Sequence, residues 1–236
     1  NDTVNFTKLA LFFSSYANGV SKKHGRVSRE MFSDFNIEAI TNGVESSFWV
    51  SPEMSALFDK FIPNWRQDNR QPKKAARISL GEIKQAHLLA KQRLIKFIAR
   101  QKKVNFSEEA LIITFARRFA PYKRPTMLLS DLERVKEINK KSGPIQIIYA
   151  GKAHPDDEIG RTLISETNKR IKQLFPEVKI VFLENYDLEM AKLLVSGSDV
   201  WLNNPALPNE ASATSGMKAA HNGIMQISTF DGWWPE

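Results

Sequence analysis

Residues 111–124, LIITFARRFAPYKR, join an apolar run of strand length to a cluster of four cations. Comparable apolar runs recur along the chain, at residues 111–115, 145–149, 179–183, 200–202 and 224–228. Between them lie stretches with helical spacing, at residues 127–141, 158–175, 188–196 and 217–221. Short apolar strands that alternate with helices predict a parallel sheet covered on both faces. The predicted fold class is therefore α/β, with a doubly wound parallel sheet.

Polar clusters follow the predicted strands, at residues 117–124, 151–155, 184–187, 203–205 and 210–218. In a doubly wound sheet, ligands bind at the carboxyl ends of the strands. These clusters are therefore expected to gather at one edge of the sheet and to form its binding site.

The first cluster contains Arg117, Arg118, Lys123 and Arg124 within eight residues. Arginine presents a planar fork to phosphate oxygens, and lysine presents a compact charge. The position of this cluster directly after a predicted strand favours an anion site. A solvated basic turn is the alternative, because most charge runs are solvated.

The last cluster contains a loop of small residues, 211–216 or ASATSG, ahead of a short predicted helix. Small side chains let backbone N–H groups approach a ligand closely, and a helix N-terminus favours an anion. Lys218 lies in the first turn of that helix, where its charge opposes the helix dipole. Its amine therefore needs a charged partner or a covalent bond, unless the segment is a tight turn with a surface lysine.

The first 70 residues are predicted to be helical with polar breaks. Five apolar residues there have helical spacing and predict one buried face: Phe6, Leu9, Ala10, Phe13 and Ala17. Residues 69–77 are polar and basic and predict a linker. The segment Ser79-Leu80-Gly81-Glu82 is a capping box ahead of a long helix that ends near Lys103. The predicted domains are residues 1–77 and 78–236.

The composition excludes several classes of protein. The 236 residues contain no cysteine, which excludes disulfides and thiolate metal sites and fits a reducing, cytoplasmic compartment. No apolar run approaches 18 residues, so no membrane span is predicted. The net charge of +8 is spread among interleaved acids without an aromatic–basic repeat, which disfavours nucleic acid as a partner. The chain begins in mid-pattern, so we expect a fragment whose targeting signals are not visible.

The long motif near the C-terminus resembles a known family. Residues 210–218, EASATSGMK, followed by Asn222-Gly223 and Asp231-Gly232, are similar to the signature of the α-glucan (glycogen, starch and maltodextrin) phosphorylases. Residues 116–124, ARRFAPYKR, resemble a second segment of that family, and residues 41–44, TNGV, a third. The ending Trp233-Trp234-Pro235-Glu236 resembles the short bacterial and archaeal branch.

This resemblance implies a fold and a site. The fold would be the C-terminal Rossmann-like lobe of a two-lobed (GT-B) glycosyltransferase, preceded by the helical end of the N-terminal lobe. Lys218 would carry pyridoxal 5′-phosphate as a Schiff base and, with Arg118 and Lys123, form the catalytic set. Other residues implied near the cofactor are Lys152, Asn185, Tyr186, Thr214, Ser215 and Gly216. Arg118 and Lys123, supported by Arg117, would bind the substrate phosphate. Glu210, Ser212 and Ala213 would hold the donor glucose, and no metal is implied.

The implied activity is that of a hexosyltransferase: phosphorolysis of an α-1,4-glucan to glucose 1-phosphate with retention. The chain alone is expected to be inactive, because the family's N-terminal half supplies part of the cleft. A homo-oligomer is a further expectation. Ala213 departs from the family's usual glycine, and a positive φ there would cost about 1–2 kcal/mol. The loop is therefore expected either to keep φ negative or to alter its sugar contact.

Two other functions stay open. A nucleotide-sugar glucosyltransferase of the glycogen synthase type would also need cations near phosphates, but not an aldehyde bound to Lys218. A non-catalytic glucan-binding fragment could use tryptophans as sugar platforms: Trp49, Trp233 and Trp234.

Overall fold

A computed structural model describes residues 4–236, which divide into two compact units. Unit 1 comprises residues 4–43, 205–214 and 228–236. Unit 2 comprises residues 44–204 and 215–227. No helix in this described range is both long and apolar enough to cross a membrane. The predicted domain boundary near residue 77 stays a prediction.

Unit 1 contains two helices and a two-stranded parallel sheet: α1 (Phe6–Phe13), β1 (Asn18–Gly19), α2 (Lys22–Met31) and β2 (Glu38–Ala39). The Oγ atom of Ser21 caps α2 by accepting a hydrogen bond from the His24 backbone N–H at 3.0 Å. A glycine is required at position 19, because a Cβ atom there would lie 2.4 Å from the backbone nitrogen of Gly25. Helix α2 therefore packs directly onto the β1 backbone.

The predicted buried face of α1 is wrong. The helix forms, with Asn5 as its cap, but it has no buried residue. Phe6 and Phe13 are each 78% exposed. Apolar spacing identifies side chains that share a face, but it does not establish that another element covers that face. No part of the chain within residues 4–236 covers it.

Unit 2 contains a five-stranded parallel sheet in the order β5-β4-β3-β6-β7. Its strands are β3 (Leu111–Ala116), β4 (Ile145–Ala150), β5 (Lys179–Leu183), β6 (Val200–Asn203) and β7 (Met225–Ser228). Each lies where the apolar runs predicted it, so the α/β prediction is confirmed.

The helices of unit 2 are α3 (Ser46–Trp49), α4 (Pro52–Phe61), α5 (Leu80–Lys102), α6 (Leu132–Lys141), α7 (Glu158–Leu174), α8 (Leu188–Gly197) and α9 (Ser215–Ala220). Alternate residues of β3, β4, β5 and β6 enter two separate cores. Ile148 and Ala150 of β4 pack in one core with residues of α5 and α8, whereas Ile147 and Tyr149 pack in the other with residues of α7. These four strands are therefore buried on both faces, as their apolar runs require, whereas Met225 and Ile227 of β7 are exposed.

Helix α5 follows its sequence prediction closely. The Ser79 hydroxyl accepts from the Glu82 backbone N–H, as the predicted capping box requires. The Glu82 carboxylate accepts from the Ser79 hydroxyl and not from the Ser79 backbone N–H, so only half of the box forms as predicted. Lys103 ends the helix in the left-handed conformation, with φ of 56°. One face, which includes Ala90 and Leu94, is fully buried against the sheet core.

A buried ion cluster attaches α5 to the start of the sheet. The Asp199 carboxylate accepts hydrogen bonds from His87 at 2.9 Å, from the Lys91 ammonium at 2.7 Å and from the Ile112 backbone N–H at 2.7 Å. Burial alone would raise the pKa of Asp199. The hydrogen bonds from His87, Lys91 and Ile112 outweigh it and hold this pKa below its ordinary value.

We predict that Asp199→Ala destabilises the protein by about 3–5 kcal/mol, because it leaves the Lys91 ammonium buried without its carboxylate. The depressed pKa means that the wild-type carboxylate stabilises the fold above pH about 4, and that this stabilisation is lost as the pH falls through the folded-state pKa. Urea unfolding between pH 7 and pH 3 measures both effects. Glu133→Ala, which removes an exposed ion pair with Lys136, is the control and should cost less than about 1 kcal/mol.

Candidate active site

Four polar segments of unit 2 follow strands β3, β4, β5 and β6 directly, starting at Arg117, Gly151, Glu184 and Asn204. Because the paired strands are parallel, their carboxyl ends meet at one edge of the sheet. This edge is where a doubly wound sheet binds its ligands.

The loop after β3 is fixed to the loop after β4 by the backbone. Pairing continues beyond the strands, where the N–H of Arg117 donates to Ala150 at 3.0 Å and the N–H of Phe119 donates to Lys152 at 3.0 Å. Gly151 lies directly beneath this loop. A Cβ atom at Gly151 would stand 2.1 Å from the Arg117 carbonyl oxygen. Only glycine lets the two loops approach this closely.

The cations of the β3 loop have different environments. Lys123 is buried, with its ammonium 4.6 Å from the centre of the Tyr122 ring. Arg124 adopts φ of 50° and donates to the Asn204 carbonyl at 2.7 Å, so it ties this loop to the end of β6. Arg118 is exposed, and no residue between 4 and 236 pairs with its guanidinium. Arg124 therefore stabilises the loop, whereas the Arg118 side chain is accessible to a ligand.

The positive charge of Arg117 acts on the Tyr186 phenol, which follows a different strand. Burial raises the pKa of the Tyr186 phenol to about 12, and the positive charge of Arg117 partly opposes this shift. Asn185, which precedes it, adopts a left-handed conformation with φ of 56°. Lys152 and His154 carry exposed side chains on the neighbouring loop. The structure therefore brings Arg117 near Tyr186, and it leaves His154 in solvent.

Lys218 is the fourth residue of helix α9. Its ammonium lies 3.9 Å from the centre of the Trp49 ring, and burial lowers its pKa. No carboxylate in the described part of the chain forms an ion pair with it. A half-buried amine that lacks an anionic partner becomes neutral, and hence nucleophilic, more readily than a surface lysine.

Asn222 holds Trp49 and Lys218 together. Its side-chain amide donates to the carbonyls of Lys218 at 3.0 Å and Trp49 at 2.9 Å, and its oxygen accepts from the Ser51 N–H at 2.7 Å. The residue is 1% exposed. Sequence reasoning gave Asn222 no role and considered Trp49 only as a sugar platform. The available signal was the spacing of four residues from Lys218, at which a polar side chain just beyond a helix can bond to a carbonyl of its last turn.

Two further contacts fix the start of α9. The Trp201 indole N–H donates to the Ser215 hydroxyl at 3.1 Å. Next to it, a Cβ atom at Gly216 would stand 1.7 Å from the amide oxygen of Gln226, so β7 packs against the helix at this glycine.

In unit 1, the segment Glu210 to Ala213 presents unused donors. The backbone N–H groups of Ala211, Ser212 and Ala213 have no acceptor among residues 4–236. The Ser212 hydroxyl is buried and also has no hydrogen-bond partner in that range. Ala213 adopts φ of 69°, so the loop takes the left-handed conformation in spite of its Cβ atom. Unpaired buried polar groups of this kind fit a hydroxylated or anionic ligand.

We predict that Gly151→Ala displaces the Arg117 loop, because the new Cβ atom meets a backbone oxygen that cannot move independently. The variant should unfold at a lower temperature by several degrees and lose affinity for phosphate. Thermal melting and phosphate titration of the full-length protein measure the two effects. Gly81→Ala, whose Cβ would meet nothing within 4 Å, is the control. It should leave the phosphate affinity unchanged and should not lower the melting temperature, because alanine favours the helix more than glycine does.

The family model described as carbohydrate phosphorylase matches residues 1–234. The chain is 42% identical to a maltodextrin phosphorylase of Thermococcus litoralis, over 100% of this chain and 31% of that protein. It is 37% identical to a glycogen phosphorylase of Aquifex aeolicus, over 98% and 38%, and 35% identical to one of Mycobacterium tuberculosis, over 98% and 30%. The chain thus spans between 30% and 38% of the length of these relatives. It belongs to the carbohydrate phosphorylase family.

Proposed function

We propose that the protein is an α-glucan phosphorylase, which transfers the terminal glucose of an α-1,4-glucan to inorganic phosphate. Relatives that match nearly the whole chain carry the names maltodextrin phosphorylase and glycogen phosphorylase. The observation that carries the proposal is the environment of Lys218: a half-buried amine over Trp49, with a lowered pKa and no acidic partner within residues 4–236.

The residues around Lys218 fit pyridoxal 5′-phosphate. A cofactor aldehyde needs a neutral amine, which the lowered pKa of Lys218 makes accessible. Trp49 offers a flat apolar surface beside that amine. The other residues proposed to hold the cofactor are Lys152, Asn185, Tyr186, Thr214, Ser215 and Gly216. When bound, the cofactor would supply a phosphate group that can exchange a proton with the substrate phosphate.

Arg118 and Lys123 are proposed to bind the substrate phosphate, with support from Arg117. Two phosphate groups that lie close together repel each other, so their binding requires concentrated positive charge. Arg118 can provide a guanidinium that no residue within 4–236 engages. Lys123 can provide an ammonium in a buried position, where charge is screened less by water.

Glu210, Ser212 and Ala213 are proposed to hold the donor glucose. The unpaired N–H groups of this segment and the Ser212 hydroxyl can donate to sugar oxygens, and the Glu210 carboxylate can accept from sugar hydroxyls. Fixed donors of this kind orient the glucose for attack by phosphate at its anomeric carbon. The proposed outcome is glucose 1-phosphate with retained configuration.

The proposed architecture is that of a two-lobed glycosyltransferase, with residues 78–236 in its C-terminal lobe and residues 1–77 at the end of its N-terminal lobe. The five-stranded parallel sheet of unit 2 supports a Rossmann-like lobe. Assembly into a homo-oligomer stays a prediction.

We predict that borohydride reduction of the full-length protein fixes a pyridoxyl group on Lys218, detectable by the mass of its peptide. Lys218→Ala should abolish the cofactor's absorbance and reduce glucose 1-phosphate release to background. Lys192→Ala is the control, because Lys192 also lies over an aromatic ring, 4.1 Å from the centre of Phe48, yet lies outside the proposed site. An unmodified Lys218 in active protein would contradict the cofactor assignment and favour a nucleotide-sugar glucosyltransferase.

We predict that Arg118→Ala raises the KM for phosphate about 10- to 100-fold, as loss of a charged hydrogen bond would. The KM for maltooligosaccharide should change little. Initial rates at varied phosphate and fixed glucan measure the effect. Arg161→Ala removes an exposed arginine on α7 and should leave both constants unchanged. Equal changes in both constants for Arg118→Ala would argue against a specific phosphate contact.

A further inference from the structure

The carbonyl groups of residues 211–213 are held by two other segments of unit 1. The Ser21 hydroxyl donates to the Ala211 carbonyl at 2.8 Å. The backbone N–H of Trp233 donates to the Ser212 carbonyl at 3.0 Å, and the indole N–H of the same residue donates to the Ala213 carbonyl at 3.0 Å. Three consecutive carbonyls are therefore engaged, while the intervening N–H groups are left without acceptors among residues 4–236.

The segment that carries Trp233 is itself anchored. Asp231 is fully buried, and its carboxylate accepts from the Glu210 backbone N–H at 2.9 Å. Its other oxygen forms an ion pair with the Lys23 ammonium at 3.1 Å, and that ammonium also donates to the Phe230 carbonyl at 2.7 Å. Residues 230–233 therefore have a fixed position relative to Glu210.

Close contact between the two segments requires Gly232. It adopts φ of 60°, and a Cβ atom there would stand 2.3 Å from the Ser212 carbonyl oxygen. This approach brings the following residue, Trp233, within reach of two carbonyls at once. One of them belongs to Ala213, the residue in the strained left-handed conformation.

We infer that Trp233 is a positioning residue for the donor glucose. By holding the carbonyls of Ser212 and Ala213, it keeps Ala213 in its left-handed conformation and directs the N–H groups of the loop and the Ser212 hydroxyl away from unit 1's own acceptors. This role rests on the proposed phosphorylase function, which assigns the sugar to this loop. Trp233 does not itself touch the substrate.

Loss of Trp233 should affect the binding of glucose but not the binding of phosphate. Loss of the indole N–H frees the Ala213 carbonyl and so loosens the sugar donors. It leaves Lys218 and the residues proposed for the substrate phosphate unchanged, because those lie on segments that Trp233 does not bond. Of the residues proposed for the cofactor, Thr214 follows the released carbonyl directly. Neighbouring Trp234 packs edge-on against Trp233, with ring centres 5.5 Å apart, and its indole N–H bonds to no residue within 4–236. It therefore offers a matched control.

The test compares Trp233→Phe with Trp234→Phe in the full-length protein. Trp233→Phe should lower kcat/KM for maltooligosaccharide about 5- to 10-fold, the effect of one neutral hydrogen bond. The KM for phosphate, the absorbance of the cofactor and the melting temperature should stay close to wild type. Trp234→Phe should match wild type in all four. Adding Ala213→Gly to Trp233→Phe should restore most of the lost kcat/KM, because glycine adopts positive φ without the Cβ penalty.

The results that would contradict the positioning role differ from the result that would contradict the proposed function. Equal kcat/KM for the two tryptophan variants would overturn the positioning role, and so would a loss in Trp233→Phe that Ala213→Gly does not repair. A parallel rise in the KM for phosphate, or a lowered melting temperature that explains the lost activity, would show a general structural role instead. A wild-type protein that releases no glucose 1-phosphate would overturn the proposed function itself, and the positioning role with it.

Discussion

The parallel pairing of β3 with β4 is the interaction on which the site of unit 2 depends. Its hydrogen bonds do not stop at the last strand residues, but continue through Arg117 and Phe119 to the loop after β4. Gly151 makes this continuation possible, since any side chain would separate the loops. The cations that follow β3 are therefore supported by the sheet, rather than by a flexible surface loop. A rigid support favours the proposed binding of phosphate, because charges that are already in position need no reorganisation when an anion binds.

In unit 2, the lysines at the two ends of the sheet have different partners. At the amino end, Lys91 is buried but bonds to Asp199 and to a backbone carbonyl, so it stabilises the fold. At the carboxyl end, Lys218 is half-buried against an aromatic ring and has no carboxylate within residues 4–236. The same residue type is structural in one place and chemically available in the other. The difference arises from the neighbours that the tertiary structure supplies, not from the lysine itself.

In unit 1, the loop of residues 211–213 has bonded carbonyls and available N–H groups. The carbonyls of Ala211, Ser212 and Ala213 accept from Ser21 and Trp233, whereas the N–H groups of the same three residues have no acceptor among residues 4–236. Hydrogen bonds to the Ser212 and Ala213 carbonyls hold Ala213 at positive φ. The sequence identified the cost of a positive φ at this position but left open whether φ stays negative, and the structure shows that it does not. The indole that holds the residue was not predicted, since twenty residues separate the two.

Local apolar spacing and capping residues were enough to predict the α/β class, the five sheet strands to within about one residue at each end, and the long capped helix. They also located the polar segments at strand ends. The exposed apolar face of α1, the position of Trp49 over Lys218 and the bonds of Asn222 to both depend on long-range packing. Local patterns specify which residues share a face. They do not specify which distant residues meet it, because that depends on how the whole chain packs.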